Sequence, residues 1–190
     1  MHNDENLLRE RIMEEAIDQF NKKGLKFTMD DVAGGLSVSK KTLYKVFSDK
    51  EALFFAMVDY CFDAIKESEQ AILNDTGMDI VEKIRKIIIV LPQRYKTIDF
   101  RQLYSLKEKF PSIYAKLERR LESDWEPTLI LLEQGIKEGR IRPHSTTILR
   151  AMVEGTIEHF LSRNILLKEN ISYPEALEKM MDILMEGITV

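Results

Sequence analysis

The chain has 190 residues, 44% of them hydrophobic, with 28 basic against 32 acidic side chains and a net charge of −4. That length and apolar share suit one or two small domains with a real core and exclude a disordered chain. One cysteine excludes an internal disulfide, and the histidines at 2, 144 and 159 with Cys61 show no metal-ligand spacing, so no metal or cofactor is expected.

The opening MHNDENLLRE is acidic and lacks the apolar stretch of a signal peptide. The longest aliphatic runs, Ile87–Leu91 and Leu129–Leu132, fall far short of the ~20 residues a membrane span needs. A cytoplasmic protein without a membrane partner is the expectation.

Helical periodicity dominates from the start. Leu8, Ile12, Ala16 and Phe20 form one stripe and predict a helix from about Asn6 to Lys23, closed by Gly24. Thr28, three residues before Asp31, opens a short helix to about Leu36. Ser39 opens another to about Phe47. Ser48 and Glu51 form a capping pattern for a fourth helix starting near Asp49. That helix is apolar almost all round through Leu53–Val58, which predicts burial on several sides.

The Asn74–Gly77 cluster is an internal boundary. Beyond it the pattern predicts helices over Ile80–Tyr95, kinked at Pro92, and over Phe100–Phe110. A long helix follows from Pro111 to about Glu138, bent at Pro127. Arg140–Pro143 reads as a loop, Ser145–Lys168 as a helix, and Ser172 with Glu175 caps a final helix to about Gly187. The fold class is therefore all-α with about nine helices. Residues 1–50 form one part and residues 51–190 a longer bundle.

The stretch that carries chemistry is Thr28–Leu53. Two short helices around a tight Ser37–Val38 turn make a helix-turn-helix pattern, with Val32, Leu36, Val38, Leu43 and Phe47 on its apolar side. Lys40, Lys41, Thr42, Tyr44 and Lys45 remain outward on the second helix. Residues 39–50 hold four lysines and one aspartate, a local charge of +3, whereas residues 51–190 carry the whole −4. The acidic average thus conceals positive charge on the element that would enter a groove, where lysines neutralise phosphates and hydroxyls fix register or touch base edges.

The order T-x-x-x-V-A-x-x-L-x-V-S-K-K-T-L-Y-x-x-F-x-x-K-E-x-L closely resembles the DNA-binding domain of TetR-family transcriptional regulators, over roughly residues 6–55. The remainder resembles that family only in architecture, with a local echo in EQGIKEGRIR. The resemblance implies that the first three helices bind DNA, helices five to seven enclose a small-molecule pocket, and the last two pack in a homodimer. It implies that Thr28 caps the second helix near a phosphate. Lys40, Lys41, Thr42 and Lys45 would then face the major groove, Tyr44 and Lys50 would hold phosphates, and Ser39 would complete the DNA-binding set. Two departures stand out. Ser37 occupies a turn where the family usually has Gly, and Gly34 and Gly35 fall inside the predicted second helix, at about 1 kcal/mol each relative to Ala.

The functional expectation is a ligand-responsive regulator, usually a repressor in that family, that binds double-stranded DNA at a palindromic operator as a homodimer. A small-molecule effector would release it. Candidate effector contacts are Tyr95, Phe100, Tyr104, Trp125, Met152 and His159. Candidate dimer contacts are Met152, Thr156, Phe160, Leu177, Met180, Met181, Leu184 and Ile188. An enzyme is not expected, since no G-x-S-x-G, P-loop or H-E-x-x-H occurs. The alternative is a helical ligand-binding or adaptor protein that keeps the motif only as structure. Its discriminating feature is the Lys40, Lys41, Lys45 and Lys50 set, which such a protein would not need.

Overall fold

A computed structural model describes residues 2–96, 98–123 and 125–190. Among these residues its regular elements are all helices, apart from one isolated antiparallel bridge, Ile141 to Thr189. The amino-terminal part consists of α1 (His2–Lys23), α2 (Met29–Gly35) and α3 (Lys40–Val46). Ile12, Ala16 and Phe20 of α1 turn inward as their spacing predicts, and Gly24 follows in the left-handed region at φ 58°. The Thr28 side chain accepts from Asp31 N while the Asp31 carboxylate accepts from Thr28 N, so α2 opens with a full capping box. Ser39 caps α3 by accepting from Thr42 N. Gly34 and Gly35 lie in the last turn of α2 rather than its interior, so little of the expected propensity cost applies there. Ser37 takes φ 55° in the turn, a conformation its Cβ disfavours.

α4 (Lys50–Asn74) runs unbroken from this head into the bundle. Its cap is Asp49 and not Ser48, because the Asp49 carboxylate accepts from Ala52 N at 2.8 Å while Ser48 only bonds to Asp49. Glu51, Asp59 and Asp63 of α4 meet Ser112, Lys116 and Arg120 of α7 (Pro111–Glu122). The partners appear in the same order along both helices, so α4 and α7 run parallel.

Several predicted helices are shorter than their periodicity suggested, and prolines explain most of it. The helix expected over Ile80–Tyr95 is α5 (Ile80–Ile88). Pro92 cannot donate to the Ile88 carbonyl and pushes Leu91 out of the helical region, so the chain leaves the helix and resumes as a 3-10 turn, Gln93–Tyr95. The Phe100–Phe110 segment is a 3-10 stretch, Phe100–Ser105, followed by the single turn α6 (Leu106–Lys109). The helix expected from Pro111 to Glu138 is two. α7 stops at Glu122, Ser123 is extended, and α8 (Glu126–Lys137) starts with Pro127 in its first turn. Pro127 therefore begins a helix instead of bending one. The helix expected to Lys168 ends α9 (Thr146–Ser162) at an extended Arg163, with α10 (Ile165–Lys168) as a separate turn. α11 (Tyr173–Ile188) closes the bundle behind the Ser172 cap.

α8 packs on α5 through Gly135. A Cβ there would lie 2.8 Å from Ile141 and 3.1 Å from Ile84, so the close approach requires glycine. The carboxy-terminal residues then pin the α8–α9 loop, with Arg142 N donating to Ile188 O and Val190 N to Arg140 O.

The turn conformation generates a first prediction. Left-handed backbone costs a non-glycine residue roughly 1–2 kcal/mol. Glycine's extra freedom in the unfolded chain returns roughly 0.5–1 kcal/mol of that. Ser37→Gly is expected to stabilise the protein by about 0.5–1 kcal/mol in urea unfolding; an equal or lower midpoint would contradict the strained turn.

Candidate DNA-binding face and interior cavity

The helix-turn-helix presents one polar face. Val32, Leu43 and Phe47 are buried between α2, α3 and α1, which leaves Lys41, Tyr44 and Lys45 of α3 pointing outward. Tyr44 is 48% exposed, unusual for a large ring and suited to lying against a backbone. No ion pair or hydrogen bond holds Lys41 or Lys45 among the described residues. Lys40 is also exposed but reaches across to Asp30 of α2 at 2.7 Å. Such an exposed pair contributes little and can exchange for a phosphate. The Asp30 hydrogen bond, with its charge, raises the Lys40 ammonium above its ordinary value. Thr28 and Ser39 are exposed, yet their hydroxyls serve the helix caps, and Ser39 Oγ also lies 2.8 Å from the half-buried Thr42 Oγ1. Thr28 and Ser39 therefore reach any ligand only while holding their helices.

Lys50 departs from its expected place. Instead of projecting into solvent as a phosphate contact, its ammonium donates to the Leu25 carbonyl at 2.7 Å. It sits 4.5 Å from the Phe27 ring centroid, 5.7 Å from Phe54 and 5.6 Å from Phe110. The three rings come from the α1–α2 connection, from α4 and from the residue before α7. Phe54 packs on Phe27 at 5.3 Å and on Phe110 at 5.6 Å between centroids. Burial pushes the Lys50 pKa down, and the Asp31 charge opposes that shift. Three phenylalanines spread over 84 positions carry no common sequence signal, so nothing in the local pattern pointed to this cage.

Inside the bundle lies a cavity of about 210 Å³, walled mostly by aliphatic and aromatic side chains. Of the candidate effector contacts, Tyr95, Phe100 and Trp125 line it. Tyr104, Met152 and His159 do not. Tyr104 is exposed, and Met152 and His159 lie on the outer face of α9, whose inner face is Leu149, Val153, Ile157 and Leu161. The residues that bring polar atoms to the wall were missed in sequence. They include Arg120, Thr128 and Tyr173, of which Arg120 reads as one charge among many on a polar face.

The candidate dimer contacts divide in the same way. Leu177, Met180 and Met181 are buried within the chain's own core, so that part of the α11 stripe is intrachain packing. Thr156, Phe160, Leu184 and Ile188 are half-buried, and Met152 is 54% exposed. The apolar side chains left outward on these two helices are Ile148 and Met152 of α9 and Ile183 of α11, with Val190 just beyond it. No helix among the described residues is long and apolar enough to cross a membrane, and no cluster among them could hold a metal ion.

Residues 12–57 match the model of a family described as bacterial regulatory proteins, tetR family. The chain is 30% identical over 179 residues to an HTH-type transcriptional regulator of Bacillus subtilis, YvaF, covering 94% of each. It is 26% identical over 116 residues, 58% of this chain and 62% of the relative, to IcaR of Staphylococcus aureus, a negative transcriptional regulator of the biofilm operon icaADBC. A crystal structure of a TetR transcription regulator from Haloarcula marismortui superimposes with a TM-score of 0.72 at 14% identity, covering 99% of this chain and 100% of that one.

Two predictions come from this geometry. The Lys23 ammonium and the Thr28 backbone amide hold the Asp31 carboxyl well below its ordinary 3.8, at about 2. Its cap therefore contributes fully above about pH 4 and is lost as pH falls through about 2. Asp31→Asn is expected to abolish that part of the acid-unfolding profile; an unchanged profile would show that the cap does not govern it. Lys50→Met removes a charged hydrogen bond and the ring contacts while keeping side-chain length. It is expected to cost about 1–3 kcal/mol in chemical denaturation. A variant as stable as the parent would contradict the cage.

Proposed function

Because the chain belongs to the TetR family of transcriptional regulators, which bind DNA and are not enzymes, we propose that it is a cytoplasmic repressor released from its operator by a small molecule. Residues 1–50 serve as the DNA-binding head and residues 51–190 as the effector and dimerisation part. The observation that carries this reading is the outward face of α3, where Lys41, Tyr44 and Lys45 are exposed beside the exchangeable Lys40–Asp30 pair. A helix-turn-helix kept only as structure needs no such concentration of cations. One seven-residue helix reads only a few base pairs. A homodimer that places two of them about 34 Å apart reads a palindrome.

Ile148, Met152, Ile183 and Val190 supply exposed apolar surface for a self-complementary contact between α9 and α11 of two copies. The negative regulator IcaR supports repression over activation. The effector would occupy the interior cavity, whose wall includes Phe54, the ring that also packs on Phe27 of the head. A ligand that displaces Phe54 favours a head placement the operator does not fit, and so lowers DNA affinity.

The test is salt-dependent binding to DNA flanking the protein's own coding region. The parent is expected to bind with a linear fall of log affinity against log salt. Lys41→Ala with Lys45→Ala is expected to weaken binding and flatten that slope by about 1–2. Identical affinities and slopes would contradict DNA recognition by α3 and favour a helical ligand-binding or adaptor protein.

A further inference from the structure

The cavity's polar atoms restrict what it can hold. Arg120 reaches its wall from α7 with the guanidinium 5.2 Å from the Phe62 ring centroid. One terminal nitrogen bonds Asp63 at 3.1 Å and the other lies 4.0 Å from Asp59. Its Nε–H has no hydrogen-bond partner but is fully covered, so no ligand atom reaches it. At another part of the wall Tyr173 is 8% exposed and stacked on Phe100 at 5.0 Å, and no partner holds its hydroxyl among the described residues. Burial keeps that phenol protonated by raising its pKa, so it remains a donor. The buried Thr128 hydroxyl is a second such group on the wall.

The charges around this wall already balance. Lys66 pairs with Glu69, Lys116 with Asp59, and Arg120 with Asp63 and Asp59. An incoming carboxylate would meet cations already paired, and an incoming ammonium would meet carboxylates already paired. What the wall offers unpaired among the described residues is the Tyr173 and Thr128 hydroxyls, each able to donate or accept. A buried hydroxyl without a partner costs roughly 1–3 kcal/mol. The volume exceeds the ~150 Å³ at which an apolar protein cavity holds benzene, so a body of about two rings fits.

We propose that the ligand is a neutral, mainly apolar molecule of about two-ring size bearing an uncharged oxygen, that of a ketone, ester or lactone, held by the Tyr173 and Thr128 hydroxyls. This rests on the reading of the cavity as the effector site. The other wall groups, chiefly aliphatic and aromatic, contribute contact without selecting a head group.

Trp125, the single tryptophan, lines the cavity and reports occupancy by its fluorescence. The full-length protein is titrated with 1-acetonaphthone, 1-ethylnaphthalene and 1-naphthoate, which share two rings and differ in one group. The ketone is expected to bind about tenfold tighter than the hydrocarbon and the carboxylate. Tyr173→Phe and Thr128→Val are each expected to weaken the ketone at least about threefold and leave the hydrocarbon unchanged. Tyr173→Phe keeps the stacked ring, so it decides the matter if Thr128→Val prevents folding. Equal binding of ketone and hydrocarbon, or a preference for naphthoate, overturns the uncharged-oxygen class while leaving the cavity an effector site. No response to any of the three overturns the effector-site reading and this proposal with it.

Discussion

Lys50 holds two halves of the molecule to one point. Its ammonium donates to Leu25 O in the head and lies among Phe27 of the head, Phe54 of α4 and Phe110 before α7. A cation removed from water this far requires compensation, and the carbonyl with three ring faces provides it. The same rings are mutually packed, and Phe54 also meets Phe20 edge-on at 6.3 Å. The head is therefore fixed to the bundle through a dense aromatic joint and a continuous α4, not through a flexible linker. The cavity wall touches the head directly through Ile17 and Phe20 of α1 and through Phe54, which packs on Phe20 and Phe27.

This joint also settles how the charges are divided. The three outward lysines of α3 are left on the exposed face of the head, while the fourth is withdrawn into the joint. Asp59 and Asp63 of α4 are tied to Lys116 and Arg120 of α7 and fasten these two helices. With a net charge of −4 on the chain, affinity for arbitrary DNA should be modest. Recognition in the proposed regulator then depends on where two heads are held, which is what the aromatic joint controls.

Much of the fold was legible because it follows local rules. The Thr28, Ser39 and Ser172 caps, the glycine closing α1 and the inward stripe of α1 each follow from a few adjacent residues. The errors arose where periodicity outran backbone chemistry. Stripes continued past Pro92 and Pro127, but the helices did not, because a stripe records which face is apolar and not whether every amide can donate. The outward lysines of α3 were readable from a short helix with one apolar side. Lys50 was not, since its partners come from three distant segments. The cavity hydroxyls were likewise hidden, because Thr128 and Tyr173 acquire their roles only when α8 and α11 border one space. On α11 the sequence could not separate the face turned to the chain's own core, Leu177, Met180 and Met181, from the face carrying Ile183.

The most direct test of the joint is a double-mutant cycle between Lys50→Met and Phe110→Leu, followed by chemical denaturation of the two single variants and the pair. If the ammonium and the rings form one unit across head and bundle, the losses should fall short of additivity by at least about 0.5 kcal/mol. Additivity within about 0.3 kcal/mol would show that Lys50 and Phe110 act separately, and would contradict a head fixed to the bundle through this cage.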